Sequence, residues 1–180
     1  MKFEPTQFDG VWLITLEPRG DERGYLMRTY CEPTFREHGL TTHWPQCNET
    51  LTTRRGSIRG MHWQQAPYGE AKLVRCSQGR IWDVVVDVRQ GSATFGQWQA
   101  FELDASRPQQ LHIPPGFAHG FQTLTDHAVL HYQMGELYRP DGAAGCRWDD
   151  PALAIPWPLP VADLSARDAG LPLLADAFDS

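Results

Sequence analysis

His62, Lys72 and Tyr132 are the side chains in this sequence best suited to moving a proton on an anionic substrate. His62 lies in Gly56-Ser-Ile-Arg-Gly-Met-His62-Trp-Gln64, a run of strand length. With an ordinary pKa of about 6.5, an imidazole is mostly neutral at pH 7 and can act as a general base. Lys72, in Ala71-Lys72-Leu-Val-Arg-Cys76, is a point charge able to stabilise an enolate or a phosphate. Tyr132 is a phenol, protonated at neutral pH, that can return a proton. The most strand-like part of the chain also keeps Arg59 and Arg75. Ionised groups are costly to bury unless they are paired or used, so a protein needing only a core would not keep them there.

Each of these residues has an ordinary structural alternative. A histidine on an apolar strand is often bonded to backbone, a tyrosine packs, and a lysine can sit on a solvated lip. The neighbouring Arg59, Gln64 and Lys72 favour function for His62. Arg23, Arg28, Arg54 and Arg55 read first as exposed charges. A metal site would need donors beside His62. The second position of His62-Trp-Gln64 is an amide, a poor ligand for a transition ion, and Lys72 stands two residues from Glu70. No metal is expected.

These residues must be positioned by short strands. Turn signals such as Arg19-Gly-Asp-Glu-Arg-Gly24, Ser77-Gln-Gly79, Pro114-Pro-Gly116 and Pro140-Asp-Gly142 punctuate runs at 11–14, 25–31, 43–53, 58–64, 71–77, 81–89, 96–103, 109–113, 118–124 and 128–134. Such spacing predicts an all-β barrel or sandwich. Glu32 to His38 is the best short helix, closed by Gly39 in a left-handed conformation. After Trp148, Pro151, Pro156, Pro158 and Pro160 predict an extended wrap, with one helical turn near Leu164 to Arg167. Alternation puts Ile58, Gly60, His62 and Gln64 on one side of their strand. Ideal pleating then puts Arg59 on the other, unless Gly60 bends the strand.

At 180 residues the chain is expected to be one domain, 1–180, with a full core and no need of disulfide or metal staples. The net charge of −6 argues against a nucleic-acid partner. No segment approaches the roughly 20 apolar residues of a membrane helix, so no membrane partner is expected. Cys31, Cys47, Cys76 and Cys146 are dispersed, and the N-terminus has no apolar leader. Reduced thiols and a cytoplasmic location are the expectation.

The residues resemble those of dTDP-4-dehydrorhamnose 3,5-epimerases from about residue 5 to residue 175. The resemblance is carried by Asp21-Glu-Arg-Gly24, the Gly56–Gln64 run, Ala71–Cys76, Asp83-Val-Val-Val-Asp-Val-Arg89 and Gly91-Ser-Ala-Thr-Phe-Gly96. Ile113-Pro-Pro-Gly-Phe-Ala-His-Gly-Phe121, Arg147-Trp-Asp-Asp-Pro151 and Leu164-Ser-Ala-Arg-Asp168 complete eight motifs in one order. It implies a cupin-like β-barrel (jelly roll) with short helices and an extended C-terminal segment. It implies inversion at C3 and/or C5 of a nucleotide-diphosphate 4-keto-6-deoxysugar, with no cofactor. By resemblance His62 is the base, Tyr132 the proton donor, and Asp168 the carboxylate paired with His62. Arg23, Gln46, Asn48, Arg59, Lys72 and His119 match positions that hold diphosphate and sugar, and Arg28 and Tyr138 complete the substrate-binding set. A homodimer is implied too, its N-terminal strands joining the partner's sheet and Arg23 reaching the neighbouring pocket.

Three positions depart from the pattern: Arg28 and Ala143 stand where the best-known members carry Glu, and Arg167 where they carry Lys. One extra residue lies between Asn48 and Gly56. These departures bear on the nucleotide and the rim. Two other classes stay open: a metal-dependent cupin dioxygenase or isomerase using Glu70 and His119, and a non-catalytic sugar-nucleotide binder.

Overall fold

Residues 1–178 are described by a computed structural model, and alternation along their strands sets the architecture. Strands β1 (Lys2–Pro5) and β2 (Trp12–Thr15) open the chain. The hairpin β3 (Arg19–Asp21) and β4 (Gly24–Leu26) and the helix α1 (Glu32–Glu37) follow. Then come β5 (Gln46–Thr52), β6 (Ile58–Gln64), β7 (Lys72–Gln78) and β8 (Arg80–Asp87). After β9 (Trp98–Asp104), β10 (Gln109–Ile113), β11 (Phe117–Thr123) and β12 (Ala128–Met134), the chain closes with β13 (Ala143–Gly145) and α2 (Ala166–Ala169). A six-stranded sheet has the order β1-β2-β10-β7-β12-β5 and a five-stranded sheet the order β13-β6-β11-β8-β9. All neighbouring pairs are antiparallel.

The two sheets share an inner core of Val74, Cys76, Leu111 and Leu130 from one and Ile81, Val85, Phe117 and Phe121 from the other. The outer face of the five-stranded sheet carries Met61, Trp63, Val84, Val86 and Ala118, and Leu153, Ile155, Leu174 and Ala177 of the C-terminal wrap cover it. The opposite outer face is covered by Phe35 of α1 with Ile14, Leu16 and Leu73. This is why β8 and β11 are buried on both sides, and why their polar side chains must find partners inside.

Arg59, though exposed, and His62 both line the open end of the barrel because β6 is irregular between them. Phe121 pairs with Arg59 and His119 with His62, so three steps on β6 oppose two on β11. Gly60 makes this possible at φ 120°, where a Cβ would lie 2.6 Å from the Gly120 Cα. The glycine therefore bends the strand and brings Arg59 to the same cavity as His62.

The structure corrects several sequence expectations. The run at 25–31 is strand only over Gly24–Leu26, in a fully exposed hairpin that joins neither large sheet. The helical turn expected near Leu164–Arg167 is present two residues later, at Ala166–Ala169, because Ser165 caps it by accepting from the Asp168 N–H at 3.0 Å. β1, β3 and β13 are too short to show a periodic signal. α1 ends at Glu37, and Gly39 follows at φ 68°. All four cysteines are unpaired. Among the described residues no helix is long and apolar enough to cross a membrane.

His112 gives this fold a dependence on pH. It lies buried beside Trp44, with ring centroids 6.2 Å apart, and its Nδ1–H donates to the Gly10 carbonyl at 3.0 Å. Burial pulls its pKa down from 6.5 to about 4, against the smaller opposing effect of the Gly10 bond. Between these values the unfolded chain binds a proton that the folded chain refuses. The stabilisation from neutral His112 is complete above pH 6.5 and falls by about 3 kcal/mol on approaching pH 4. Urea midpoints at pH 7 and pH 4 should differ by more in the native protein than in His112→Gln. Equal pH dependence in both proteins would refute the assignment.

Candidate active site

The polar end of the barrel interior opens as a cavity of about 730 Å³ between the two sheets. His62 enters it from β6 in the five-stranded sheet, and Tyr132 from β12 in the six-stranded one. Two facing sheets thus present an imidazole and a phenol to the same space.

His62 Nε2 lies 2.8 Å from Asp168 Oδ1. The other oxygen, Oδ2, accepts from the Gly60 N–H at 3.1 Å. Burial works to raise the Asp168 carboxyl, but His62, the Gly60 N–H and Ser165 outweigh it and hold its pKa below the ordinary value. An ionised carboxylate can only accept, so Nε2 carries the hydrogen and the Nδ1 lone pair is left as the ring's free base. The imidazole is 36% exposed while the carboxylate is buried, the arrangement of a base open to a ligand and steered from behind.

The opposite wall differs in character. Burial pushes the Tyr132 phenol well up, against the smaller effect of the Thr50 hydroxyl 3.5 Å away, so the group is a proton carrier at neutral pH. His119 stands edge-on to its ring, with centroids 6.1 Å apart. The His119 Nε2 is 2.8 Å from Asp83 Oδ2, and Asp83 Oδ1 is buried without a partner. Burial raises the Asp83 carboxyl, with His119 and Lys72 opposing. His62 and His119 are direct cross-strand neighbours, each held by its own aspartate.

Cationic and polar groups complete the lining. Lys72 Nζ pairs with Glu70 Oε1 at 2.6 Å, both side chains being buried. Arg59 donates from Nε to Thr52 Oγ1 at 2.9 Å. Gln46, Asn48, Thr50 and Thr52 line the cavity from alternate positions of β5. Tyr138, about half exposed, stands at the mouth with Ala143 and Arg167. The donor set does not suit a metal ion. Glu70 and His119 are committed to Lys72 and Asp83, and among the described residues no three His, Cys, Asp or Glu side chains gather as ligands.

Thirteen residues singled out in the sequence thus border one cavity: His62, Tyr132, Asp168, Gln46, Asn48, Arg59, Gln64, Glu70, Lys72, His119, Tyr138, Ala143 and Arg167. Arg23 and Arg28 do not. Arg23 is 84% exposed and forks onto Asp21 at 2.6 Å, because the β3–β4 hairpin carries it away from its own barrel. Arg28 lies exposed on the segment that follows the hairpin. Sequence reasoning gave no role to Asp83, one of two carboxylates in the apolar run at 81–89 and the partner of His119, or to Thr50, which alternates with Asn48 and Thr52 in the lining.

Known proteins share this arrangement of strands. The family model for dTDP-4-dehydrorhamnose 3,5-epimerase matches residues 5–176. A dTDP-4-dehydrorhamnose 3,5-epimerase of Methanothermobacter thermautotrophicus is 43% identical over 163 residues, covering 90% of this chain and 86% of its own length. The crystal structure of NovW, a 4-keto-6-deoxy sugar epimerase from the novobiocin cluster of Streptomyces spheroides, superposes with a TM-score of 0.94. It is 39% identical, with 99% of this chain and 90% of that one covered. RmlC of Legionella pneumophila, a dTDP-6-deoxy-D-glucose-3,5-epimerase crystallised with dTDP-4-keto-L-rhamnose, gives a TM-score of 0.91 at 37% identity, covering 97% of this chain and 93% of its own.

Proposed function

The chain belongs to the dTDP-4-dehydrorhamnose 3,5-epimerase family, isomerases of cupin-like jelly-roll fold, and we propose that it inverts carbons beside the 4-keto group of a dTDP-linked 6-deoxyhexose by proton transfer between His62 and Tyr132. The observation that carries this reading is the pairing across one cavity of a carboxylate-steered imidazole and a buried phenol, borne by opposing sheets. A hydrogen on carbon next to a ketone is acidic enough for a neutral imidazole once the enolate oxygen is stabilised.

His62 takes that hydrogen at Nδ1, while Asp168 stabilises the imidazolium that forms. The charge moves to the 4-oxygen, and Lys72 is a buried cation of the lining suited to stabilise it. Tyr132 delivers a proton from the other side of the ring, so the carbon leaves with opposite configuration. Arg59, with Gln46 and Asn48, supplies donors for the diphosphate and sugar, and Tyr138 offers a flat face at the mouth. We place Arg23 and Arg28 at the pocket of a second copy, since their own barrel does not use them. The exposed Tyr25 and Leu26 on the same hairpin support such a homodimer.

The test is solvent exchange. Incubated in heavy water with dTDP-4-keto-6-deoxyglucose, the protein should place deuterium at C3, and at C5 if both carbons turn, in step with inversion. CDP-, GDP- and UDP-linked analogues report the base preference. Binding of the dTDP sugar without any deuterium uptake would refute epimerisation and leave a binding protein.

A further inference from the structure

Each inversion leaves two protonation states to undo. His62 ends the step carrying a proton, and Tyr132 ends it as a phenolate. Tyr132 is partly buried against the core, where a bare phenolate is a costly species. It has to be held while it exists and reprotonated before the next turnover.

One described side-chain atom lies within hydrogen-bonding distance of the Tyr132 hydroxyl: Thr50 Oγ1, at 3.5 Å. Among the described residues this hydroxyl has no other side-chain partner, whereas its neighbour Thr52 is committed to Arg59. Thr50 is half-buried and lies on β5, the strand at the rim of the six-stranded sheet beyond β12. Both side chains line the cavity, so the threonine hydroxyl meets the phenol at the wall of that space. A threonine hydroxyl can donate to one group while accepting from another. The separation exceeds the 2.7–2.8 Å of a strong hydroxyl pair, but hydrogen bonds of this kind commonly tighten only when substrate is bound.

We propose that Thr50 is the positioning residue for Tyr132, holding its hydroxyl in place and relaying the proton that recharges it. The proposal rests on the epimerase reading. As the Tyr132 O–H bond breaks and the new C–H bond forms, the Thr50 hydroxyl donates to the phenolate oxygen. Its proton then passes to that oxygen while Thr50 takes one from a water at the cavity mouth. The hydroxide so formed is neutralised by the proton that His62 releases, and no net proton is gained or lost.

Thr50→Val keeps the shape and strand preference of the residue while removing the hydroxyl. In heavy water with dTDP-4-keto-6-deoxyglucose, it should slow inversion about tenfold while leaving KM and deuterium uptake without inversion near their native values. The ratio of exchange to inversion should thus rise about tenfold, and Thr50→Ser should restore it. A native ratio in Thr50→Val would overturn the proposal, whether both rates stay unchanged or fall together, since packing alone moves both alike. If Thr50→Ser behaves like Thr50→Val, the hydroxyl is not the reason and the proposal also falls. Absence of exchange in the unmodified protein would instead sink the epimerase reading, and this inference with it.

Discussion

His62→Ala should lower deuterium exchange and inversion together, by about 10³- to 10⁴-fold. The size follows from how much of the site converges on that ring. Asp168 is buried, spends one oxygen on His62 and the other on the Gly60 N–H, and has no second base to steer. His119 cannot take over, because its side chain is 6% exposed against 36% for His62 and offers a substrate little access. Substrate binding should survive, as Lys72 lies on β7 and Arg59, three residues away on β6, is held by Thr52 rather than by the imidazole. Measuring exchange by proton NMR and binding by calorimetry separates the two. A variant that binds and still exchanges at the native rate would show that another group removes the proton.

Tyr132→Phe should divide what His62→Ala abolishes. Inversion is expected to fall by about 10³-fold, while exchange stays within about tenfold of native. The ring remains to pack beside His119 and only the hydroxyl is lost. The proton can still leave to His62 and a deuteron return from the same side. The substrate would then acquire label with its configuration kept, an outcome that loss of folding cannot imitate. If both rates fell equally, Tyr132 would serve the first half of the reaction, and the donor would have to be sought elsewhere on the wall.

Much of the barrel could be read from residue order, because β6, β7, β8, β11 and β12 combine β-forming residues with clear turn signals at their ends. What escaped was set by contacts distant in sequence. The hairpin β3–β4 has no partner strand in its own chain to reward pairing, and β13 owes its existence to the exposed edge of β6. Strict alternation misplaces Arg59, because one bulge at Gly60 breaks the period. Side-chain chemistry singled out His62 and Tyr132, and the likeness to a family added Asp168, yet the chemistry around them depended on groups that no local pattern joins. Asp83 reaches His119 across 36 residues, and Thr50 reaches Tyr132 across 82.

The distance from His62 to its aspartate, 106 positions along the polymer, has a consequence for biosynthesis. A nascent chain emerges from its N-terminus, so every strand of the barrel is available before α2 leaves the ribosome. Until then the histidine has no steering anion behind it. The half-made protein can gather its sheets without gaining a competent acid–base pair, and on the proposed mechanism reactivity waits until α2 has been translated.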